Sequence, residues 1–493
     1  MPFLHLAGAA NVLTDGMFKT IKKCVRAAGT GALAFAVLSQ PAAAAETIDG
    51  AHLPLWLGLP FLGILLSIAL GPLFARRLWH IHYGKASAFW ALLALAMMVF
   101  VEGWPVTAAA FVHNMVLDYL PFILMLFALF TAAGGIAVRG TLPGTPLVNT
   151  AILAIGAGLA SLIGTTGASL ILIRPLLRAN EDRRAKAHIV IFFIFLVSNI
   201  GGALTPLGDP PLFLGFLHGV DFFWTARHLW PETLFAVDML LALFFLVDRR
   251  FYFSEKGLAP LHRAKPPEPL HITGRINILL LAVAIAAIII SGLWHPGLTL
   301  TWMGTKIEAQ NILRDGVMIA VGLASLALTG EADRKANRFE WEPLKEVAQL
   351  FAGIFICIIP VMAIMQAGDD GHFAPVLAFL TDASGAPRNA VYFWATGLLS
   401  SFLDNAPTYL VFFQLAGGDP AQLMGPQATT LAAISLGAVF MGAMTYIGNA
   451  PNFMVYAIAR RQRVDMPGFF GYLVWSGMIL IPLFVAITFL FIR

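Results

Sequence analysis

The sequence predicts an all-α polytopic membrane protein of about ten transmembrane helices plus two re-entrant hairpins, arranged as an inverted-topology repeat. Three observations carry this prediction: the composition, the one-sided placement of basic residues, and two motifs that recur at a single offset. Charged residues are 12% of the 493-residue chain and apolar residues 59%, a balance that leaves a soluble surface uncovered. The apolar runs are about 18–25 residues long, the length that a bilayer core demands of a helix. The lipid bilayer is therefore the first expected partner. The net charge of +4 is no nucleic-acid signal, because its basic residues are scattered over short loops between apolar runs. Cys24 and Cys357 are too few and too far apart in kind, one in a leader and one in an apolar run, for a structural disulfide. No Cys/His cluster suggests a resident metal, and no cofactor motif is present.

Taken in order, residues 1–45 read as a cleaved signal peptide of a chain starting at Met17. Met17-Phe-Lys-Thr-Ile-Lys-Lys is the basic region, 27–38 the apolar stretch, and Ala43-Ala44-Ala45 the cleavage site before Glu46. An uncleaved first helix is the alternative. Ten spans follow near 54–75, 88–112, 116–138, 187–218, 231–247, 276–293, 312–329, 346–366, 428–459 and 469–492. Two further apolar stretches, 146–177 and 388–415, are interrupted by Gly164-Thr-Thr-Gly167 and Asp404-Asn-Ala-Pro407. Reading both as hairpins gathers most of the 31 Lys and Arg into loops on one face, the pattern of a cytoplasmic side. The mature N-terminus is then outside. One hairpin read as a full span would put basic loops on both faces.

An internal repeat supports this plan. Ser161-Leu-Ile-Gly-Thr-Thr-Gly167 aligns with Ser401-Phe-Leu-Asp-Asn-Ala-Pro407 at an offset of 240. At the same offset, Gly202-Ala-Leu-Thr-Pro-Leu-Gly-Asp-Pro-Pro-Leu-Phe213 meets Gly442-Ala-Met-Thr-Tyr-Ile-Gly-Asn-Ala-Pro-Asn-Phe453. The first repeat covers 46–250, with hairpin 146–177 and broken helix 187–218; a cytoplasmic linker covers 251–275; the second covers 276–493, with hairpin 388–415 and broken helix 428–459. Five spans separate the hairpins, so they point in from opposite faces, and such an interface holds substrate and ion sites near the midplane.

The residues that carry chemistry lie in the four breaks. Broken backbone in hydrocarbon survives only inside protein or beside a water-filled cavity, and freed half-helix ends attract ions. Asp209 and Asp404 each cost about 3 kcal/mol near a helix centre, which marks them as cation- or proton-binding, with Asn405 and Asn449 beside them. Thr165, Thr166, Ser169, Thr205, Thr408, Thr445 and Asn452 supply further oxygens that suit an alkali cation. Mid-helix Thr and Ser also commonly bond backbone, and a Gly-rich break also lets helices approach closely. Asp118, Asp238 and Glu102 sit nearer segment ends, where a solvated carboxylate is expected, and Arg174 is expected to snorkel to the cytoplasmic face.

Gly164-Thr-Thr-Gly-Ala-Ser169, Asn199-Ile-Gly-Gly-Ala-Leu-Thr-Pro-Leu-Gly-Asp-Pro-Pro211 and Leu403-Asp-Asn-Ala-Pro407 resemble the ion transporter superfamily. Within it they are similar to a bacterial family of sodium:proton antiporters and citrate transporters, related to the NhaD-type antiporters. The resemblance covers the chain after the leader. It implies a multi-pass protein of the bacterial inner membrane and a homodimer in which a hairpin-bearing unit moves against a fixed scaffold. Carboxylate symporters of the superfamily carry Ser-Asn-Thr at both hairpin tips; here the tips read Gly164-Thr165-Thr166 and Asp404-Asn405-Ala406. The expected function is exchange of Na+ or Li+ for H+ by competition at buried carboxylates, the transported Na+ being the one metal involved. Symport of citrate or another small carboxylate with a coupling cation is the alternative. A membrane enzyme or ligand sensor would need a nucleophile–base pair, a phosphate loop or a sensory domain, and none is evident.

Overall fold

Among residues 48–255, 268–368 and 371–492, which the computed structural model describes, nearly every apolar run becomes a helix. The leader expected over 1–45 and the middle of the linker expected over 251–275 lie outside the described residues. A 3-10 turn at Leu55–Gly58 leads into α1 (Leu59–Phe74), and Ala75 alone turns the chain into α2 (Arg76–Glu102). The segment expected as a loop over 76–87 is thus the opening of a helix. After Gly103 come α3 (Trp104–Asn114), a π-helical turn at Met115–Tyr119 and α4 (Leu120–Gly134), one apolar rod of 31 residues. The boundary expected at 112–116 falls instead at Gly103. Gly103 has φ +79, open to glycine, and Pro105 has no N–H with which to continue the preceding helix. Apolar neighbours on both sides concealed that break. Its shift leaves Glu102 at a helix end but carries Asp118 to the middle of a span.

The first hairpin pairs α5 (Pro146–Ile163) with α6 (Thr165–Ala179). The first broken helix is α7 (Ala187–Leu196), a 3-10 turn at Ile200–Gly202 and α8 (Pro210–Leu217), followed by α9 (Trp230–Ser254). The second half repeats the order: α10 (Ile276–Leu293), α11 (Ala309–Leu328) and α12 (Glu342–Gln366). Its hairpin is α13 (Asn389–Phe402) with α14 (Asn405–Leu415). Its broken helix is α15 (Ala428–Met441), a 3-10 turn at Gly442–Met444 and α16 (Ala450–Arg461), and α17 (Phe469–Phe491) closes it. Nine described helices are long and apolar enough to cross a membrane, one of them the α5 hairpin arm. The other eight and the two broken helices make up the ten spans. The protein is an all-α, multi-pass membrane protein, amended by two small antiparallel ladders. β1 (Ala137–Arg139) pairs with β2 (His271–Thr273), and β3 (Thr299–Trp302) with β4 (Thr305–Glu308).

Burial separates inner from outer helices. Residues Ile189 to Val197 of the first broken helix are buried on every side, which explains a run apolar all round. In α10, Leu279 and Leu293 are each about 60% exposed, an apolar face that only lipid would cover. The halves interlock: α14 of the second hairpin packs on α8, and α6 of the first packs on α16. At the base of the first hairpin, Asp248 of α9 accepts from Asn149 and Arg183 and contacts His188, all of them buried. Arg174 does not snorkel: it is 8% exposed, and one of its guanidinium nitrogens has no hydrogen-bond partner among the described residues. Cys357 is buried and forms no disulfide among the described residues.

Candidate functional site

Each break is built from residues that cannot continue a helix. Gly164 joins the hairpin arms with φ +83, a conformation that strains any residue with a Cβ. Asp404, its counterpart at the second tip, has φ −62 and caps α14 by accepting from the Ala406 N–H at 3.1 Å. Asp209 and Asn449 stand before α8 and α16 with nearly the same backbone, φ −142 and ψ 144 against φ −152 and ψ 140. Proline within the first two positions of each half-helix fits there, where no N–H is required.

The same side-chain clips hold both breaks. Thr205 Oγ1 donates to the Ser161 carbonyl and accepts from the Leu207 N–H. Thr445 Oγ1 donates to the Ser401 carbonyl and accepts from the Ile447 N–H. Ser161 and Ser401 in turn donate to the carbonyls of Gly201 and Met441. Where each chain crosses itself there is no room for a side chain. A Cβ on Gly208 would sit 2.0 Å from the Gly202 carbonyl oxygen, and one on Gly448 2.7 Å from that of Gly442.

Asp209 is the centre. Its carboxylate, 1% exposed, accepts from Thr165 Oγ1 at 3.0 Å, Asn449 Nδ2 at 3.0 Å and Asn405 Nδ2. Thr165 opens α6, Asn405 opens α14, and Asn449 and Asp209 cap α16 and α8, so four half-helix amino ends meet at one side chain. Every donor to this carboxylate among the described residues is neutral. The amide oxygen of Asn405, wholly buried, has no partner among the described residues. Asn449 also donates to the Ser198 carbonyl and Asn199 Oδ1, and Asn199 donates to Asn452 Oδ1 at 2.6 Å.

Of the residues expected from sequence, Asp209, Asn405, Asn449 and Thr165 are brought into direct contact. Asn452 joins through Asn199, with its own amide on the Gly442 and Thr445 carbonyls. Ser169 pairs with Ser198 at 2.9 Å, and Thr408 donates to the Asp404 carbonyl. Thr205 and Thr445 spend their hydroxyls on backbone, as the alternative reading of mid-helix threonines foresaw. Thr166 is half-buried beside Thr165 and outside this network. Asp404 is next in chain to Asn405 but caps its own helix rather than joining the cluster. Asn199 and Ser198 were missed as site residues; the signal for Asn199 was its position at the head of the Asn199-Ile-Gly-Gly motif.

A multi-pass protein whose two hairpins and two broken helices converge on a shielded carboxylate belongs to the class of secondary transporters. The particular family is shown by comparison: the chain belongs to the family described as "Putative citrate transport", which matches residues 50–492. Among its relatives, uncharacterized transporters of Mycobacterium tuberculosis and Mycobacterium bovis are each 26% identical over 327 residues, 64% of this chain and 70% of theirs. A 46 kDa membrane protein of Mycobacterium leprae is 24% identical over 322 residues, again 64% of this chain and 70% of its own length.

Proposed function

We propose that the protein exchanges Na+ or Li+ for H+ at Asp209, with Asp404 as a second carboxylate beside it, across the bacterial inner membrane. The observation that carries this reading is a buried carboxylate held by three neutral donors, with Asp404 the one charged group acting on it among the described residues. An ionised carboxylate so placed needs a counter-charge, and either a proton or an alkali cation supplies it. The unpartnered Asn405 oxygen and the Thr165 hydroxyl are hard oxygen ligands at the same spot. One carboxylate cannot hold both cations, so the loaded and protonated forms are alternatives, and exchange follows from their competition. The mature N-terminus outside and a homodimeric scaffold complete the reading.

A second reading keeps Asp209 as the coupling-cation site and adds citrate or another small carboxylate as cargo. It is favoured by the family description and by four half-helix amino ends, which attract anions. The deciding experiment is Na+-induced collapse of a preformed pH gradient in proteoliposomes, comparing the parent with Asp209→Asn. Collapse in the parent and its loss in the variant supports exchange. No response to Na+ or Li+ from mildly acid to mildly alkaline pH, in vesicles with verified incorporation, overturns it. Cation-dependent uptake of labelled citrate would then establish the second reading.

A further inference from the structure

A further carboxylate within a span is Asp118, in the π-helical turn between α3 and α4. π-Turns within α-helices recur at functional positions, and an ionisable residue at this depth calls for a partner. Its side chain is 15% exposed and faces His218, 25% exposed, with Nε2 at 3.9 Å from Oδ1. His218 is the C-cap of α8, the half-helix that Asp209 opens at its other end.

The chemistry around this pair is short of protons. His218 Nδ1 lies 3.0 Å from the Leu214 carbonyl, which can only accept, so Nδ1 carries the hydrogen. In a neutral imidazole Nε2 then presents a lone pair toward a carboxylate. Asn114 Nδ2 donates to Asp118 Oδ2 at 3.3 Å, while Asn114 Oδ1 is buried without a partner among the described residues. Carboxylate, amide oxygen and bare nitrogen are all acceptors. The separation of 3.9 Å is too long for a hydrogen bond, as expected of two acceptors with no proton between them.

The elements packed on the turn add little charge. α8 brings His218, and α3 carries the exposed His113, the only other charged group acting on Asp118 among the described residues. α12 meets the turn with the Ala348 carbonyl, which accepts from Tyr119, and with the Phe355 ring. Phe413 of α14 packs edge-on against the His218 ring. A single added proton converts mutual repulsion into an imidazolium–carboxylate pair.

We propose that Asp118 and His218 together hold one exchangeable proton, and that this proton fastens the end of α8 remote from Asp209 to the third spanning helix. α8 is eight residues long, so a latch at His218 acts on the same short rod that positions Asp209. The link to transport rests on the proposed role of Asp209; the latch itself does not.

The test measures distance rather than transport. Spin labels are placed on the exposed Leu120 of α4 and in the loop after α8, in detergent-solubilised full-length protein, and distances are read at mildly acid and mildly alkaline pH. The parent is expected to show a longer distance at alkaline pH. Asp118→Asn and His218→Gln should each abolish the shift, and His218→Arg, permanently charged, should keep the short distance at both pH values. Asp118→Ser serves as a second variant should Asp118→Asn fail to fold. No shift in the parent, or a shift surviving in both single variants, overturns the latch. Asp209→Asn should retain the shift, so failure of the exchange reading and failure of the latch are told apart.

Discussion

The two broken helices share a frame and differ in charge. Thr205 and Thr445 make the same donor and acceptor bonds 240 residues apart, and Gly208 and Gly448 permit the same crossing. At the helix caps the halves part: the first ends in Asp209, the second in Asn449, whose amide donates to Asp209 at 3.0 Å. Two carboxylates at that spacing could not both ionise. The amide of Asn449 is therefore the complement of Asp209, and the divergence between halves leaves one carboxylate where strict symmetry would place two. The tips part in the same way. Gly164 needs the freedom of φ +83, whereas the counterpart position at φ −62 accepts Asp404 without strain.

Breaking this comparison is most severe at its centre. Asp209→Asn is expected to reduce Na+-driven proton movement by at least about 100-fold in proteoliposomes, since no other carboxylate among the described residues joins the cluster. The exchanged pair Asp209→Asn with Asn449→Asp should recover part of that activity, because the charge is returned to a symmetry-related cap. Asn449→Asp alone should cost about 10-fold and move the pH profile of exchange toward alkaline values, as two carboxylates come to share one proton. Among the glycines, Gly208→Ala should destabilise by about 3 kcal/mol and Gly448→Ala by less, in keeping with intrusions to 2.0 and 2.7 Å; thermal unfolding in detergent reads both. The smallest effects belong to the clips: Thr205→Ala and Thr445→Ala should each lose about 1 kcal/mol in the same assay, and unequal losses would show that the frame is less symmetric than its bonds.

The breaks were legible in the sequence because Gly, Pro, Thr and Asp are conspicuous in runs that otherwise bury nothing polar. The fixed offset then exposed the repeat, and the hairpins and most of the spans followed with errors of a few residues. What failed was the Gly103 boundary, where Trp104 and Val106 keep hydropathy high across a turn, and with it the depth of Asp118. Which polar residues meet was not legible either. Asn405 and Asp209 are 196 residues apart, and nothing local says that the second hairpin tip reaches the first break. Asn199 faces Asn452 across the halves with no counterpart at the repeat offset, so symmetry could not reveal it. Sequence placed Asp209 and Asp404 on an equal footing; only contact distinguishes the carboxylate at the meeting point from the one that caps a helix.

The four half-helix ends around Asp209 have an electrical consequence. Each amino end carries about half a positive charge, so together they offset roughly the two negative charges of Asp209 and Asp404. Each of these helices also carries an equal negative charge at its carboxyl end, so the dipoles ease the burial of the two carboxylates without changing the net charge of the unit that bears them. Each bound Na+ or proton adds a whole charge, and carrying one across 100 mV involves about 2.3 kcal/mol. In the proposed exchange a cation is carried in both directions, so voltage would act on the cycle only where the numbers of Na+ and protons differ.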